Sequence, residues 1–471
     1  MIFSRGCDNT KPVSFHLGKP ILVMILAAIV AGAVVAFRSP MPKARHVLWI
    51  FAESHQRSYT GDDRATGETP AHKYTRTSGN SLDIVLMAAR AEDIRLASIF
   101  NTHGKGQAVP DAVEIEISKV GKFFRPPLSQ IGFLPLNDFL KNSGWYDQIV
   151  QTRFAPYSKN GVIFGVPHDI HPTTVTYRKD LFDEAGVDLA AAKTWPEFRD
   201  ACQKFRQYWR SRGRPRWPIG LRRASADDVI CILQQRNINV CDDHNRIFIN
   251  DPVVAQTMRF YCEMVAGRQP IGTDFNPAPG MNYRDIANGD VCAMITPDWM
   301  VAYLKIYSPE ARGKLAMVQM PVFQATDHPT VSWGGTMIGI PRDCADPQAS
   351  WKLIESLYFD HDSVAYRRQI DQILPPIRKY WSDEIYQRGD PFFANDQNVY
   401  QLYIKLAEKL PTRYVTPFTV IGQQLVADVL NRSVRRIDDG DTANLDRDIQ
   451  QWLDDSAKDL KRRIDFGTFE D

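Results

Sequence analysis

The sequence contains none of the short motifs that mark common catalytic or nucleotide sites. It has no G-x-S-x-G elbow, Walker A loop, H-E-x-x-H helix or Rossmann glycine fingerprint. No nucleophile with a recognisable base is present either, which weighs against an enzyme. We therefore predict a protein that binds a ligand without transforming it, and we expect no cofactor.

Cysteine is sparse and is not arranged for metal binding. None of the seven cysteines forms a C-x-x-C pair or a zinc spacing. The clustering within 202–292 permits a disulfide after export, and free buried thiols fit equally well, so we predict no pairing. Cys7 stands apart near the N-terminus, and the remaining six are Cys202, Cys231, Cys241, Cys262, Cys292 and Cys344.

The sequence also lacks an excess of one charge. A formal net charge of +2 neither supports nor excludes an anionic partner. The arginine-rich stretch 206–216 lacks interleaved stacking geometry, so we interpret it as a solvated surface turn, with an anion contact as the alternative, and expect no nucleic-acid partner. At 471 residues the chain is too long for one small core, which favours two lobes or domains.

One long apolar run is present, at residues 21–37, and basic residues precede it. Its length is near the lower limit for a membrane-spanning helix and long for the apolar part of a signal peptide. No cysteine follows it directly, which excludes a lipoprotein anchor there. We predict that residues 1–46 are a signal peptide or signal anchor with a polar tether, and that the rest is exported.

Strand and helix patterns alternate after the tether. "HVLWIFAE" (46–53), "LDIVLMAA" (82–89) and "DAVEIEI" (111–117) predict strands, and "AEDIRLASIF" (91–100) predicts a helix. Such alternation indicates an α/β lobe with a mostly parallel sheet. Residues 54–80 are poor in apolar side chains, and we predict a weakly structured segment or surface loop there.

Two carboxylates end the third of these strands. Glu114 and Glu116 face the same way, whereas Val113, Ile115 and Ile117 face the core. They lie at the carboxyl end of a parallel strand, where α/β sheets bind ligands. Three interpretations remain open: a solvated strand face, a ligand-binding pair, or the acid and base of a glycoside hydrolase.

A second polar cluster lies in "PHDIHP" at residues 167–172. His168, Asp169 and His171 are metal-ligand types, but Pro172 disfavours helical geometry at His171, which we expect to be extended, and no further ligand has motif spacing. We therefore predict no metal site. The extended, proline-punctuated chain favours a segment that crosses between lobes, with its polar side chains in the cleft.

Two tryptophans complete the candidate site. Trp299 lies in a predicted turn between a strand and a helix, where it serves either as core or as a ligand platform. Trp333 precedes Gly334 and Gly335, which let the backbone approach a ligand closely.

Several motifs in combination resemble one known family. "G-x-x-F-G-x-P", "Y-R-K-D-L-F-x-E-A-G-V-D" and "T-W-x-E-F" follow one another between 161 and 198, and "A-M-x-x-P-x-W" and "W-G-G-x-x-x-G-I" come later in the same order. Over about 47–430 the chain resembles the extracellular solute-binding proteins of family 1. These proteins are the binding subunits of ABC sugar importers, and maltose-binding protein is one of them.

The resemblance implies a two-lobed periplasmic-binding-protein fold of type II, with ligand in the cleft. Lobe one would be 47–168 plus 329–372, and lobe two 169–328 plus 373–471. Residues 54–80 depart from the family pattern, because they lack its amphipathic first helix. The ligand-binding residues carried over by position are Glu53, His55, Glu114, Glu116, His168, Asp169, His171, Trp299, Trp333, Gly334 and Gly335.

The resemblance also implies a function. We expect capture of a sugar or sugar-like ligand in the periplasm, or elsewhere outside the cytoplasm, and its delivery to ABC permease subunits. The N-terminal helix would hold the protein to the inner membrane if it is not cleaved. The alternatives are a membrane-tethered sensor that uses the same cleft and a glycoside hydrolase.

Overall fold

The computed structural model describes residues 18, 23–28, 44–125, 127–276 and 281–467. Most of the predicted signal or anchor segment, and Cys7 with it, lies outside these residues. Within the described parts of the chain, no helix is long and apolar enough to span a membrane. The chain divides into Met1–Ala44 and Arg45–Asp471, and the second unit contains all the elements below.

The first of two five-stranded sheets has the order β2-β1-β3-β12-β6. Strands β1, β2 and β3 are parallel, as the alternating pattern predicts, and β12 runs antiparallel to both of its neighbours. Its strands are β1 (Arg45–Ile50), β2 (Ser81–Leu86), β3 (Ala112–Glu116), β6 (Val166–Pro167) and β12 (Thr336–Gly339).

The second sheet has the order β11-β7-β10-β8-β9. Its strand β7 is fully buried, and both of its neighbours run antiparallel to it. The strands of this sheet are β7 (Thr173–Arg178), β8 (Ile219–Gly220), β9 (Gly272–Thr273), β10 (Ala293–Pro297) and β11 (Leu315–Gln319). A separate hairpin pairs β4 (Ser158–Lys159) with β5 (Val162–Ile163).

Helices cover both sheets, so the fold is mixed α/β. Numbered within this unit, they are α1 (Glu53–Thr60), α2 (Pro70–Ser78), α3 (Ala89–Thr102), α4 (Ile117–Val120), α5 (Asn137–Asn142), α6 (Lys179–Glu184), α7 (Trp195–Ser211), α8 (Asp227–Gln235), α9 (Pro252–Val265), α10 (Tyr283–Asn288), α11 (Trp299–Tyr307), α12 (Pro347–Ile354), α13 (His361–Asp371), α14 (Glu384–Gln387), α15 (Val399–Ala407), α16 (Thr419–Asp438) and α17 (Leu445–Phe466).

The local sequence explains where α7 begins. Thr194 caps the helix, Pro196 lies in the first turn, and the Glu197 side chain completes a capping box. This arrangement satisfies amide groups that a helix leaves free at its N-terminus.

The prediction of a loop over residues 54–80 was wrong, because α1 and α2 lie there. Few aliphatic side chains are needed, since Tyr59 and Tyr74 are 0% and 2% exposed and hold the two helices in place. Thr69 caps α2, and Pro70 occupies its first turn. A helix is therefore present directly after β1, where the sequence pattern predicted none.

Two segments are less regular than their neighbours. Short α5 is followed by single 3₁₀ turns up to Tyr157. Residues 162–167 form two short strands, β5 and β6, with a break between them. The break includes Gly165, where the chain lies so close to Met337 that a Cβ would be 2.5 Å from the Met337 sulfur.

Each sheet has its own buried apolar surroundings. Helices α7, α8, α9, α16 and α17 pack against the second sheet and bury residues such as Trp195, Met258 and Leu430. Residues such as Leu48 and Ile115 fill the space around the first sheet. The six cysteines that the structure describes are all buried and unpaired.

Residues 167–172 pass from β6 in the first sheet to β7 in the second, as predicted for a crossing segment. A second segment returns beside it, and Pro172 and Ser332 form an antiparallel bridge. The Thr173 amide donates to the Val331 carbonyl at 3.0 Å. The lobe boundaries themselves stay a prediction.

Candidate functional site

Glu114 lies at the centre of a buried polar cluster. It is 0% exposed on β3, and its two oxygens have different partners. Oε2 lies 2.6 Å from Nδ1 of His55, at the start of α1. Oε1 accepts hydrogen bonds from the hydroxyls of Tyr59 and Tyr358. Because β1 pairs with β3, the helix that follows β1 places His55 beside Glu114.

Electrostatics favour an ion pair between these two groups. Burial raises the pKa of Glu114, because it favours the neutral acid. The charge and hydrogen bond of His55 act in the opposite direction, and the resulting pKa of Glu114 is about 2. Burial likewise opposes the charge on His55, yet the neighbouring Glu114 carboxylate raises its pKa. Each charge is therefore retained in the interior because the other is present.

His168 lies against this pair and differs from it in its bonding. Its ring stacks on that of His55, with 4.5 Å between centroids and 16° between planes. It is 3% exposed, and neither ring nitrogen has a hydrogen-bond partner among the described residues. Burial, with the charges of His55 and Arg367, lowers its pKa to about 4, so the ring is neutral.

Asp169 is the centre of a second buried group. Its carboxylate accepts from Arg153 at 2.7 Å and from the Thr336 amide at 3.0 Å. Nε2 of His171 lies 3.1 Å from it, and Nδ1 of His171 lies 2.5 Å from Asp298, which precedes α11. His171 thus links the crossing segment to an element of the second sheet.

The backbone of His171 is not extended, contrary to the sequence prediction. Its φ is +50°, a conformation that few residues other than glycine adopt. The two carboxylates account for this, since they hold the ring from both sides. Burial opposes the charge on His171, but Asp169 and Asp298 raise its pKa to about 9.

Trp299 and Trp333 meet at the returning segment. The Trp299 indole donates to the Trp333 carbonyl at 2.9 Å. Gly334 has φ +94°, and a Cβ there would lie 3.0 Å from the Trp299 indole nitrogen. The predicted close approach of the backbone is thus made to Trp299. The Arg222 guanidinium covers the Trp333 ring at 4.8 Å.

Trp299 begins an aromatic stripe along α11. Trp299, Tyr303 and Tyr307 recur at every fourth position, with ring centroids 5.9 Å and 6.2 Å apart. Tyr303 and Tyr307 also pack against Tyr283 of α10, with ring centroids 6.3 Å and 5.8 Å away. Burial raises the pKa of Tyr303, and the charge of Arg57 on α1 opposes that rise. The sequence carries the signal for this stripe in "WMVAYLKIY".

The other two predicted carboxylates lie apart from the buried cluster. Glu53 is exposed on α1 and pairs with Arg57 at 3.2 Å. Glu116 is half-buried and caps α4, where it accepts from the Ser118 amide at 3.0 Å. Glu114 and Glu116 therefore have separate sets of partners within the chain.

Sequence reasoning missed several members of the site. They come from distant elements, so no local motif joins them, although Asp298 stands next to Trp299, itself a predicted site residue. The missed residues are Tyr59, Arg153, Asp298, Tyr303, Tyr307, Tyr358 and Arg367.

Two sheets joined by paired crossing segments, with polar and aromatic side chains where they meet, define a two-lobed periplasmic-binding-protein fold. The profile of the family described as "Bacterial extracellular solute-binding protein" matches residues 128–395, more than half of the chain. The chain belongs to this family.

Relatives and solved structures agree with this assignment. The arabinooligosaccharide-binding protein of Bacillus subtilis is 21% identical, with 88% of this chain and 92% of that protein covered. The sugar-binding protein MalE of Xanthomonas citri superposes with a TM-score of 0.68 at 18% identity, covering 90% of this chain and 100% of that one. A binding protein associated with an ABC transporter of B. animalis subsp. lactis, in complex with β-1,6-galactobiose, gives a TM-score of 0.65 at 16% identity, covering 89% and 98%.

Proposed function

We propose that this solute-binding protein captures a sugar outside the cytoplasm and delivers it to ABC permease subunits. The observation that carries the proposal is the aromatic stripe on α11, because aromatic faces stack on the apolar faces of sugar rings. A relative named for arabinooligosaccharide binding, and a structural neighbour in complex with a galactobiose, support the ligand class.

The proposed ligand site has two layers. The outer layer supplies ring contacts and partly exposed groups, and the inner layer supplies buried polar groups, of which the charged ones form the stronger hydrogen bonds to hydroxyls. The outer residues are Glu53, Glu116, Trp299, Trp333 and Gly334. The buried residues are His55, Glu114, His168, Asp169, His171 and Gly335.

The proposed lobes keep the predicted bounds, 47–168 plus 329–372 and 169–328 plus 373–471. Two of the three boundaries in this division fall near the crossing segments that connect the sheets, which supports it there. Ligand would draw the lobes together, and the permease would recognise the closed form. Residues 1–46 would direct export and, if uncleaved, anchor the protein to the inner membrane.

A thermal-shift screen of the full-length protein against monosaccharides and oligosaccharides tests this function. We expect stabilisation by at least one sugar, because binding to the folded state raises the unfolding free energy. Calorimetry on the best sugar, with and without the Trp299→Ala substitution, then places binding at the stripe. Absence of any stabilising sugar would contradict the proposal, and turnover of chromogenic glycosides would favour the hydrolase instead.

A further inference from the structure

Three buried side chains converge beside the crossing segment with the chemistry of metal ligands. One ligand atom each from His55, Glu114 and His168 lies within 4.8 Å of the other two. The three residues are 8%, 0% and 3% exposed and come from α1, β3 and the crossing segment. We propose that they bind a divalent transition-metal cation of the zinc class.

His168 gives independent support for this site. It is buried, and neither of its ring nitrogens has a hydrogen-bond partner among the described residues; Nδ1 lies 3.7 Å from Oδ2 of Asp169, beyond hydrogen-bond distance. A buried polar group without a partner costs free energy, so such groups normally have a partner, an ordered water or an ion. An imidazole nitrogen is a preferred ligand of zinc, and a bound cation would satisfy one nitrogen of His168.

The contact between His55 and Glu114 marks the place of the cation. Nδ1 of His55 lies 2.6 Å from Oε2 of Glu114, so a proton lies between two ligand atoms. A cation bound to both atoms takes the place of that proton, and metal binding commonly releases protons in this way. At zinc–ligand distances of about 2.0–2.2 Å and tetrahedral angles the two atoms lie more than about 3 Å apart, so His55 and Glu114 must separate slightly to become ligands.

His168 must turn before it joins them. Its ring is stacked on that of His55 at 4.5 Å, and two parallel rings cannot direct their in-plane lone pairs at one ion. Rotation of the His168 ring about its Cβ–Cγ bond can direct one ring nitrogen towards the cation. The rotation breaks no hydrogen bond, because the ring makes none with the described residues. We infer that the metal-bound form differs from this structure chiefly in the plane of His168.

The surroundings orient the carboxylate as in known metal sites. The hydroxyls of Tyr59 and Tyr358 bond Oε1 of Glu114 and leave Oε2 for the cation. Such outer hydrogen bonds fix the ligand and tune its affinity. Three protein ligands leave one tetrahedral position for water.

The buried charges around the site are of both signs, so the types of the ligand atoms decide which cation fits. The carboxylates of Glu114, Asp371 and Asp169 act on His55. The Arg367 guanidinium acts on His168 and lies 5.1 Å from the centre of the Tyr358 ring. Two imidazoles with one carboxylate match zinc, whereas magnesium and calcium prefer oxygen ligands alone.

Zinc titration of the full-length protein, stripped with a chelator and free of sugar, tests the site. We expect one zinc ion per chain, a higher melting temperature, and no response to magnesium or calcium. Cobalt offers a second readout, because a tetrahedral cobalt site absorbs strongly in the visible range. Since no sugar is present, the result is independent of the proposed sugar function.

Two substitutions decide whether this cluster is the site. His168→Ala removes a ligand that makes no hydrogen bond with the described residues, so we expect a folded protein whose zinc affinity falls more than about 100-fold, beyond the loss seen for outer-shell changes. His72→Ala is the matched control, because the His72 side chain is 70% exposed. Absence of zinc binding, or equal affinity in the His168→Ala variant, would overturn the proposal. If that variant does not fold, absence of the visible cobalt spectrum in the unmodified protein would overturn it.

Discussion

At the scale of single residues, Gly335 occupies a place that no larger side chain fits. Its φ is +144°, and a Cβ there would lie 2.5 Å from an Arg153 nitrogen and 2.6 Å from the Tyr157 hydroxyl. Those two groups cannot move freely, because Arg153 also bonds Asp169 and Ser332. The glycine therefore secures the polar packing of the crossing segments.

We expect Gly335→Ala to lower the unfolding free energy by about 2–5 kcal/mol, the sum of backbone strain and overpacking. Gly213→Ala is the control, since Gly213 has φ +70° but nothing within 4 Å of the point that a Cβ would occupy. That variant should lose about 1–2 kcal/mol, from backbone strain alone. Urea denaturation of both variants measures the difference, and equal losses would refute the packing explanation.

Glu92 provides a pH-dependent prediction. It is 2% exposed, its Oε1 has no partner among the described residues, and burial with the nearby Glu114 and Asp93 raises its pKa from 4.5 to about 8. Between these values the folded chain holds a proton that the unfolded chain has lost. The contribution of Glu92 to stability is therefore present below pH 4.5 and lost as pH rises to about 8.

Glu92→Gln removes this titration. At a pH of about 9 we expect the variant to be more stable than the unmodified protein by about 2–4 kcal/mol, and the gain should shrink as pH falls towards about 5. Glu53→Gln, at an exposed position of α1, serves as control. Denaturation curves across this pH range measure the effect, and a gain independent of pH would argue against a neutral Glu92.

At the scale of secondary-structure elements, the stripe on α11 gives a prediction graded by ligand length. Trp299→Ala should weaken binding of any sugar by about 1–3 kcal/mol, because it removes the ring nearest the crossing segment. Tyr307→Ala removes the far ring and should weaken only sugars long enough to reach it. Calorimetry with a series of oligosaccharides measures this, with Phe466→Ala, an aromatic 79% exposed on α17, as control. Equal losses for short and long sugars would contradict the order of the rings.

Elements with a strong periodic pattern were predictable, and elements fixed by a few contacts were not. The three parallel strands, the capping box of α7 and the crossing at 167–172 follow from local sequence. Helices α1 and α2 could not be predicted from local sequence, because two buried tyrosines take the place of the usual aliphatic face. The positive φ of His171 also escaped prediction, since its ring pairs both with the nearby Asp169 and with Asp298, which is distant in sequence.

At the scale of the whole molecule, the paired crossing segments predict a rigid-body motion. Pro172 and Ser332 are bridged, so both segments should twist together while each sheet keeps its interior. Small-angle scattering with a saturating sugar should give a smaller radius of gyration than without it. Asp169→Asn should reduce the change, because it weakens the link to Arg153 and His171. Identical curves with and without sugar would exclude closure.

The sequence singled out His55, Glu114, His168, Asp169 and His171, and the structure brings these residues close together. Ligand binding by them stays a prediction. Their partners Tyr59, Asp298 and Tyr358 were not predictable, since only the tertiary fold brings them to His55, Glu114 and His171. The burial of Glu114 is also a tertiary effect, because α1 covers the strand face that the alternating pattern leaves open.

The unpaired cysteines make the outcome of folding depend on how fast the chain folds. Members of this family work outside the cytoplasm, where thiols are readily oxidised. In the native state, burial raises the pKa of Cys241, Cys262 and Cys292 to about 12, so almost no reactive thiolate forms. Before the core closes, the same thiols are exposed at their ordinary reactivity. Non-native disulfides can therefore form only before helices cover the second sheet. The fraction of exported chain that avoids them depends on the rate of this step more than on the final stability of the fold.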